Sequence, residues 1–352
     1  MSLYVDVEKR LGDFHLKIQF ETQGGVLGLL GASGCGKSYT LKCIAGIETP
    51  DRGKIVLDGV TLYDSAAKID LKPQKRQVGY LFQHYALFPN MTVRQNILCA
   101  LRGEKDRARR QAALEAMLDV MQLRGLENHR PHQLSGGQAQ RAALARIWVS
   151  KPRLLMLDEP FSALDSHLRE KLQIQMQEML AQFPGETLMV THSRDEAYRL
   201  CRRIGVMEEG RLLAVKDTKA LFADPGTSCA AALTGCKNIA PAVKRGSHQV
   251  EVPQWGLSLT TAKAVEDGIT AVGIRAHYFN PKTPSNMNRV AFTGVMEEPF
   301  ETTYCFRWAN QQPGTEDLWW RVPKDRVGGG LPQELGIAPA NVLLLYDNPA
   351  GA

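Results

Sequence analysis

Residues 31–38 constrain this chain more than any other segment, because they read Gly-Ala-Ser-Gly-Cys-Gly-Lys-Ser and fit the pattern GxxxxGK[ST]. The apolar run at residues 26–30 predicts a strand before this segment, and residues 38–47, which contain no proline, predict a helix after it. Glycines in such a turn let successive backbone N–H groups point inward at the start of a helix, where an anion is stabilised. The segment therefore predicts a triphosphate-binding loop.

Within this loop, Lys37 is expected to reach the β- and γ-phosphates of the nucleotide, and Ser38 is expected to ligate Mg²⁺. Glycine-rich turns between a strand and a helix also occur without a nucleotide, but here the lysine and the serine are both in register. The predicted nucleotide contacts are Gly31, Ala32, Ser33, Gly34, Cys35, Gly36, Lys37, Ser38 and Tyr39.

A second segment, Leu-Ser-Gly-Gly-Gln at residues 134–138, precedes a stretch whose apolar residues recur at helical spacing. Its serine is a good N-cap residue, and the two glycines leave backbone N–H groups uncovered at the helix start. An anion is therefore expected to bind at Ser135, Gly136, Gly137 and Gln138.

With these two segments together, the chain resembles the ATP-binding cassette (ABC) transporter family over residues 1 to about 225. Asp158, which follows the apolar residues 154–157, is similar to the family's aspartate that holds Mg²⁺. The adjoining Glu159 resembles the general base that polarises the attacking water. His192 resembles the switch histidine that contacts the γ-phosphate, and Gln83 resembles the glutamine that touches Mg²⁺ and senses the membrane partner. The resemblance thus implies ATP and Mg²⁺, with Ser38, Gln83 and Asp158 as metal ligands.

The resemblance also implies contacts across a dimer. Residues 162–165 resemble the D-loop, which crosses the dimer interface in this family and adds Asp165 to the nucleotide site. ATP would lie between the triphosphate loop of one copy and residues 135–138 of the second copy. Many relatives stack an aromatic residue on adenine, and the candidate here is Phe14, with a core position in the first strands as the alternative.

The fold implied by the resemblance is an α/β P-loop NTPase at residues 1–228, with a helical subdomain at about residues 88–150. Residues 229–352 contain short alternating runs separated by Pro, Gly and Asn, which predict a small all-β, OB-like domain. Residues 272–275 resemble a strand of the TOBE-type regulatory domains, so a regulatory or dimerisation role is expected. The tryptophans of this part favour barrel filling or dimer contact over nucleic-acid binding: Trp255, Trp308, Trp319 and Trp320.

Charge and hydropathy limit the possible functions. The net charge of +6 is small for 352 residues, and the arginine-rich residues 107–110 lie on a predicted amphipathic helix, so nucleic acid is not an expected partner. No stretch approaches the roughly eighteen consecutive apolar residues of a membrane span, so the chain is not expected to cross a membrane by itself.

These features predict the ATP-hydrolysing subunit of an ABC importer, peripheral on the cytoplasmic face of the cell membrane. The expected partners are a second copy of the chain, two permease subunits and, through the permease, an extracytoplasmic solute-binding protein. Residues 58–83 resemble the molybdate importer ATPases, so the expected cargo is an oxyanion, molybdate, with sulfate, ferric iron, polyamine and sugar importers as alternatives. The alternatives from another class are a cassette ATPase of DNA repair or translation and a nucleic-acid-binding β-domain.

Overall fold

The computed structural model describes residues 2–22, 24–83, 85–162, 166–326 and 330–347. The chain divides into two compact units, Met1–Thr218 and Lys219–Ala352. The predicted domain boundary at residue 228 and the predicted extent of the helical subdomain stay predictions. Among the described residues, no helix has the length and apolarity that crossing a bilayer requires.

The first unit is built on a mixed sheet. Within the described residues the sheet has the strand order β6-β5-β4-β1-β2-β11-β10-β3-β9-β8-β7. The strands are β1 (Leu3–Leu11), β2 (Phe14–Glu21), β3 (Val26–Gly31), β4 (Arg52–Leu57), β5 (Val60–Asp64), β6 (Ile69–Asp70), β7 (Val78–Leu81), β8 (Leu154–Asp158), β9 (Glu186–Thr191), β10 (Arg203–Glu208) and β11 (Arg211–Asp217).

Strand direction divides this sheet into two parts. β10, β3, β9, β8 and β7 run parallel to one another. β2, β1, β4, β5 and β6 pair antiparallel. Every residue of β8 is buried, as expected for a parallel strand covered on both faces. Along β1, buried and partly exposed residues alternate from Leu3 to Val7, so one face of the antiparallel part packs on the core.

The helices lie after β3, between β7 and β8, between β8 and β9, between β9 and β10 and, for the last two, after β11. They are α1 (Lys37–Ala45), α2 (Val93–Cys99), α3 (Arg107–Val120), α4 (Gly136–Trp148), α5 (Ser166–Gln182), α6 (Arg194–Leu200), α7 (Thr218–Ala223) and α8 (Ser228–Leu233). α2, α3, α4 and α6 each begin at a polar N-cap side chain that accepts a backbone N–H. α1 differs, because its N-cap is Gly36, which has no side chain to accept one.

The second unit is rich in β-strands, as the alternating runs predict. The described strands are β12 (Asn238–Pro241), β13 (Val243–Gly246), β14 (Gln249–Val252), β15 (Leu257–Thr260), β16 (Ala271–Ile274), β17 (Phe279–Asn280), β18 (Asn288–Glu297), β19 (Glu301–Trp308), β20 (Leu318–Pro323), β21 (Glu334–Ile337) and β22 (Leu343–Leu345). Their pairing gives the sheets β12-β16-β22, β13-β14-β15 and β17-β21-β18-β19-β20. The OB-like and TOBE-type assignments of this unit stay predictions.

The tryptophans of the second unit lie mostly in its core. Trp255, Trp308 and Trp320 are buried in one apolar cluster. Trp319 is partly exposed, and the Lys237 ammonium lies 5.8 Å from the centre of its ring. Because three of these four indole rings are buried, they do not present a stacking surface for nucleic-acid bases.

Arg76 connects the antiparallel part of the first unit to helix α1, and its side chain is fully buried. Its guanidinium donates to the carbonyl oxygens of Cys43 and Ile44 near the end of α1, at 2.8 and 2.9 Å. It also donates to the carbonyl oxygen of Leu71 and to the carboxylate of Asp70, both at 2.7 Å. One side chain therefore satisfies carbonyls at the helix end that water cannot reach.

We expect Arg76→Met to lower the free energy of unfolding by about 2–4 kcal/mol, because it leaves buried carbonyls without a donor. The Asp70 carboxylate is 45% exposed, so Asp70→Asn is the matched control and should cost less than about 1 kcal/mol. Urea unfolding of the three proteins measures both effects. Equal losses for the two variants would contradict the assignment of the stabilisation to the helix carbonyls.

Candidate active site

The carboxyl ends of β3, β9, β8 and β7 meet at one edge of the parallel part of the sheet. The predicted triphosphate loop follows β3, His192 follows β9, Asp158 ends β8, and Gln83 follows β7 shortly after Leu81. Ligands of open α/β sheets bind at this edge, because the loops after parallel strands converge there. The four motifs are far apart in the sequence, and strand order brings them together.

The predicted triphosphate loop has the conformation that its glycines allow. Gly34 and Gly36 have φ angles of 82° and 102°, in the region that disfavours any residue with a Cβ. A Cβ on Gly36 would also lie 2.8 Å from Leu16 Cδ1 and 3.0 Å from Phe14 Cζ. The loop then passes directly into α1, whose first N–H groups have no side-chain cap. This helix start therefore presents free donors and the positive end of a helix dipole to an anion.

Lys37 is held inside this loop. Its ammonium Nζ donates to the carbonyl oxygens of Gly31 and Ala32, at 2.9 and 2.7 Å. The residue is 4% exposed, so the carbonyl contacts compensate a charge that has little contact with water. A buried, hydrogen-bonded cation at the centre of the loop is suited to an anionic ligand.

Asp158 accepts one hydrogen bond on each carboxylate oxygen. Ser38 Oγ donates to Oδ1 and the Tyr80 hydroxyl donates to Oδ2, each at 2.7 Å. Burial and the hydrogen bond to Asp158 raise the pKa of Tyr80 far above its usual range, so the hydroxyl stays protonated and acts as a donor. Sequence analysis missed Tyr80, and the signal for it was a hydroxyl-bearing residue within an otherwise apolar strand.

Glu159 lies next to His192. Its Oε1 is 3.1 Å from His192 Nδ1, and its backbone has a φ of 45°, which is strained for a residue with a side chain. The backbone N–H of Glu159 donates to the carbonyl of Val190 at 3.0 Å. Its own carbonyl accepts from the Ser162 N–H and hydroxyl, at 3.1 and 2.9 Å. The surrounding contacts therefore hold the strained residue in place, with its carboxylate at the edge of the cleft.

A buried glutamate that sequence analysis missed supports the turn around His192. Glu196 Oε2 accepts from Thr191 Oγ1 at 2.6 Å, and the same threonine oxygen accepts from the Ser193 N–H at 3.0 Å. Burial raises the pKa of Glu196. The Thr191 hydroxyl thus links the residues on the two sides of His192, and the Glu196 carboxyl group holds that hydroxyl.

A cleft of about 480 Å³ contains many of the predicted contacts. The sequence-predicted residues that line it are Phe14, Ser33, Gly34, Gly36, Lys37, Ser38, Tyr39, Gln83 and Glu159. Leu11 and Lys42 also line it and were not predicted. Lys42 could have been found because it follows Ser38 by one helical turn on α1.

Phe14 and Tyr39 both line the cleft and also pack against the core. The ring of Phe14 lies against the phosphate loop at Gly36. Phe14 therefore has partly the core position that was the alternative to stacking on adenine. The Tyr39 hydroxyl donates to Glu48 Oε2 at 3.0 Å. Burial, followed by this hydrogen bond, raises the pKa of Tyr39 to about 12.

The predicted second anion site lies at the start of α4. Ser135 is its N-cap, and its oxygen accepts from the Gln138 N–H while Gln138 Oε1 accepts from the Ser135 N–H. A Cβ on Gly137 would lie 2.9 Å from Leu172 Cδ1, so a larger residue there would displace this leucine of α5. These residues are not among those that line the cleft, as expected if they serve another copy of the chain. Asp165 lies outside the described residues.

The segment after Gln83 is attached to α4. Arg146 donates to the carbonyl of Ala86 at 2.8 Å, and its guanidinium lies 5.2 Å from the centre of the Phe88 ring. The buried Asn96 side chain accepts from the Phe88 N–H at 2.9 Å and donates to the carbonyls of Phe88, Met91 and Thr92. These contacts hold residues 85–92, which follow Gln83 in the sequence, to α4 and α2.

The oxygen donors of the site fit Mg²⁺. The Ser38 hydroxyl and the Asp158 carboxylate lie together, and the Gln83 amide lines the same cleft. Among the described residues, no group of three or more His, Cys, Asp or Glu side chains could hold a metal. Mg²⁺ is commonly bound by one or two protein oxygens together with substrate phosphates, so this sparse set of oxygen ligands suits it.

Comparison with known proteins identifies relatives of this chain. Residues 14–162 match the family model described as ABC transporter. The chain is 39% identical over 218 residues to the putrescine transport ATP-binding protein of Escherichia coli strain K12, a match that covers 62% of this chain and 56% of that protein. It is 41% identical over 246 residues to the sulfate/thiosulfate import ATP-binding protein of Gloeobacter violaceus, covering 68% and 70%. It is 36% identical over 226 residues to the molybdenum import ATP-binding protein of Paramagnetospirillum magneticum, covering 64% and 61%.

A solved structure shares the fold. It is an ATP-binding cassette, solved as a dimer in a post-hydrolysis state bound to ADP and Pi, and it matches with a TM-score of 0.52 and 26% identity. The match covers 62% of this chain and 99% of that chain. The match spans 56% of the length of the putrescine transport protein and 70% of the length of the sulfate/thiosulfate import protein.

We expect Gly36→Ala to weaken ATP binding more than Gly34→Ala. Both variants place a Cβ at positive φ, at a cost of about 1–2 kcal/mol, but only Gly36→Ala adds contacts with Leu16 and Phe14. The ATP-induced rise in Tm of each protein measures the difference. A smaller rise for Gly34→Ala than for Gly36→Ala would contradict the packing argument.

Proposed function

This chain belongs to the ABC transporter family of ATP-binding proteins, and we propose that it is the ATP-hydrolysing subunit of an importer. The observation that carries the proposal is the meeting, at one edge of the sheet, of a buried lysine, a serine next to an aspartate, and a glutamate next to a histidine. Phosphoryl transfer to water needs these parts: cations on the phosphates, a metal site and a base.

In the proposed reaction, Lys37 and the N–H groups at the start of α1 bind the triphosphate and stabilise charge that develops on its oxygens. When bound by Ser38, Asp158 and Gln83, Mg²⁺ would neutralise phosphate charge. Glu159 accepts a proton from the attacking water, and His192, 3.1 Å from its carboxylate, keeps that carboxylate oriented. The hydrogen bonds to the Glu159 backbone maintain this orientation although the backbone is strained there.

We further propose that two copies of the chain assemble around ATP. The start of α4 has an exposed Ser135 and Gly136 and no acidic residue in its first turn, so it is open to an anion. It does not line the cleft of its own chain, and the related cassette of known structure was solved as a dimer. Loss of the γ-phosphate would remove the charge that both copies bind, and the dimer would open.

The remaining partners follow from the same proposal. Two permease subunits would contact the segment after Gln83, whose link to α4 through Arg146 transmits closure of the dimer. An extracytoplasmic solute-binding protein would deliver the cargo to the permease, and the chain would act at the cytoplasmic face of the membrane. The second unit would serve regulation or dimer contact.

The proposed cargo is an oxyanion, molybdate. The resemblance of residues 58–83 to molybdate importer ATPases supports this choice, as do the relatives named for molybdenum and for sulfate/thiosulfate import. A polyamine is the second candidate, favoured by the similarity to the putrescine transport protein.

We expect Glu159→Gln to abolish steady-state ATP hydrolysis, with a loss of about 100-fold or more, while ATP binding is retained and a closed dimer accumulates. The amide keeps the size of the carboxylate and removes its basicity. ATPase assays and ATP-dependent sedimentation measure the two effects. Glu209→Gln is the matched control, because Glu209 is an exposed residue with a similar φ of 43°. The Glu209→Gln protein should hydrolyse ATP normally. Sustained hydrolysis by Glu159→Gln would exclude Glu159 as the base.

For the cargo, the gene of this chain is replaced in its own cells by the wild-type or the Glu159→Gln form, and uptake of labelled molybdate, sulfate and putrescine is compared. We expect Glu159→Gln to abolish molybdate uptake and to leave putrescine uptake unchanged. The reverse result would assign the chain to polyamine import and contradict the oxyanion proposal.

A further inference from the structure

We propose that Tyr80 is a positioning residue for the metal-binding end of the cleft. Its hydroxyl holds the Asp158 carboxylate towards Ser38, and its ring couples that carboxylate to the segment that carries Gln83. The inference rests on the proposed function, because it assigns Asp158 and Ser38 to a divalent cation.

The position of Tyr80 follows from the register of two parallel strands. Tyr80 on β7 lies opposite Met156 on β8, and Leu81 lies opposite Leu157, so the tyrosine is close to the end of β8 where Asp158 stands. Its side chain reaches the carboxylate with a hydrogen bond of 2.7 Å. Strand pairing therefore sets the distance, and the long aromatic side chain spans it.

The two hydrogen bonds to Asp158 define the plane of its carboxylate. Ser38 Oγ takes one oxygen and Tyr80 takes the other, and Asp158 is 7% exposed. Without the Tyr80 hydroxyl, Oδ2 would lose its donor inside the protein, and the carboxylate could rotate away from Ser38. A group that orients a metal-ligating carboxylate in this way contributes to metal affinity without touching the metal.

The ring of Tyr80 provides the second part of the inference. It stacks on Phe82, with ring centres 4.2 Å apart and an angle of 26° between the planes. Phe82 immediately precedes Gln83 and is 37% exposed, so the stack connects an accessible segment to a buried carboxylate. Displacement of the Gln83 segment would therefore disturb the orientation of Asp158.

The test compares binding of the fluorescent nucleotide methylanthraniloyl-ATP to the full chain in excess EDTA and in excess Mg²⁺. The Kd in EDTA divided by the Kd in Mg²⁺ measures how much the metal strengthens nucleotide binding. This ratio does not depend on turnover. We expect Tyr80→Phe to reduce this ratio roughly tenfold and to leave the Kd in EDTA unchanged, because the ring and its stack are retained.

The matched control is Tyr63→Phe, which removes the same atom from a buried tyrosine. The Tyr63 hydroxyl donates to the carbonyl of Pro50 at 2.7 Å, in the antiparallel part of the sheet. This variant should lower Tm and keep the wild-type ratio. An unchanged ratio in Tyr80→Phe, or an equal loss in Tyr63→Phe, would overturn the positioning role.

The coupling through the stack has its own variant. Phe82→Leu removes the stacking partner and keeps the Tyr80 hydroxyl, so we expect a smaller reduction of the Mg²⁺ ratio in the same direction. A ratio equal to that of the wild type would overturn the coupling. If wild-type protein itself binds the nucleotide equally well in EDTA and in Mg²⁺, the proposed function fails, and the roles assigned to Tyr80 and Phe82 fail with it.

Discussion

The parallel register of β3, β9, β8 and β7 is the constraint on which the rest of the site depends. Each of these strands ends where its neighbour ends, so a loop glycine, a histidine, two carboxylates and an amide from separate parts of the chain reach one edge of the sheet. The strands themselves are apolar and mostly buried, and β8 is buried throughout. The core therefore fixes the positions of polar groups that could not hold one another in place alone.

The charged side chains of Lys37, Asp158 and Glu159 at this edge each have a hydrogen-bond or ion-pair partner. Lys37 is surrounded by carbonyl oxygens, Asp158 has one donor on each oxygen, and Glu159 is beside His192. Such arrangements are stable in a buried site, and they can exchange protein partners for phosphate and metal without exposing a bare charge. The strain at Glu159 is the exception, and it coincides with the residue proposed as the base.

Much of this could be predicted from the sequence, because glycine, lysine and serine at fixed spacing have local consequences. The triphosphate loop, its flanking strand and helix, and the N-cap at Ser135 all follow from neighbouring residues, and each is present in the structure. The second unit was predicted as β-rich for the same reason, since alternation along a strand is a local pattern.

The residues that were missed act over long distances in the sequence. Arg76 reaches the end of α1, Tyr80 reaches Asp158, and Leu11 enters the cleft from the first hairpin. Neither a motif nor a period marks such residues, because their partners are defined only once the sheet is assembled. The role proposed for Ser135 at a partner's nucleotide is a different case, since it concerns a second copy of the chain.

The central claim is that each nucleotide site is composed of two chains, and a mixture of two defective proteins tests it most directly. In the Glu159→Gln background, Lys37→Ala should abolish binding at the loop and Ser135→Arg should block the start of α4. Retention of radiolabelled ATP through a desalting column is measured for each variant alone and for an equal mixture. We expect neither variant alone to retain ATP. Half of the dimers in the mixture are mixed, and each mixed dimer has one intact composite site of two, so the mixture should retain about a quarter of the ATP that the Glu159→Gln protein retains. No retention by the mixture, or full retention by the Ser135→Arg protein alone, would contradict the account.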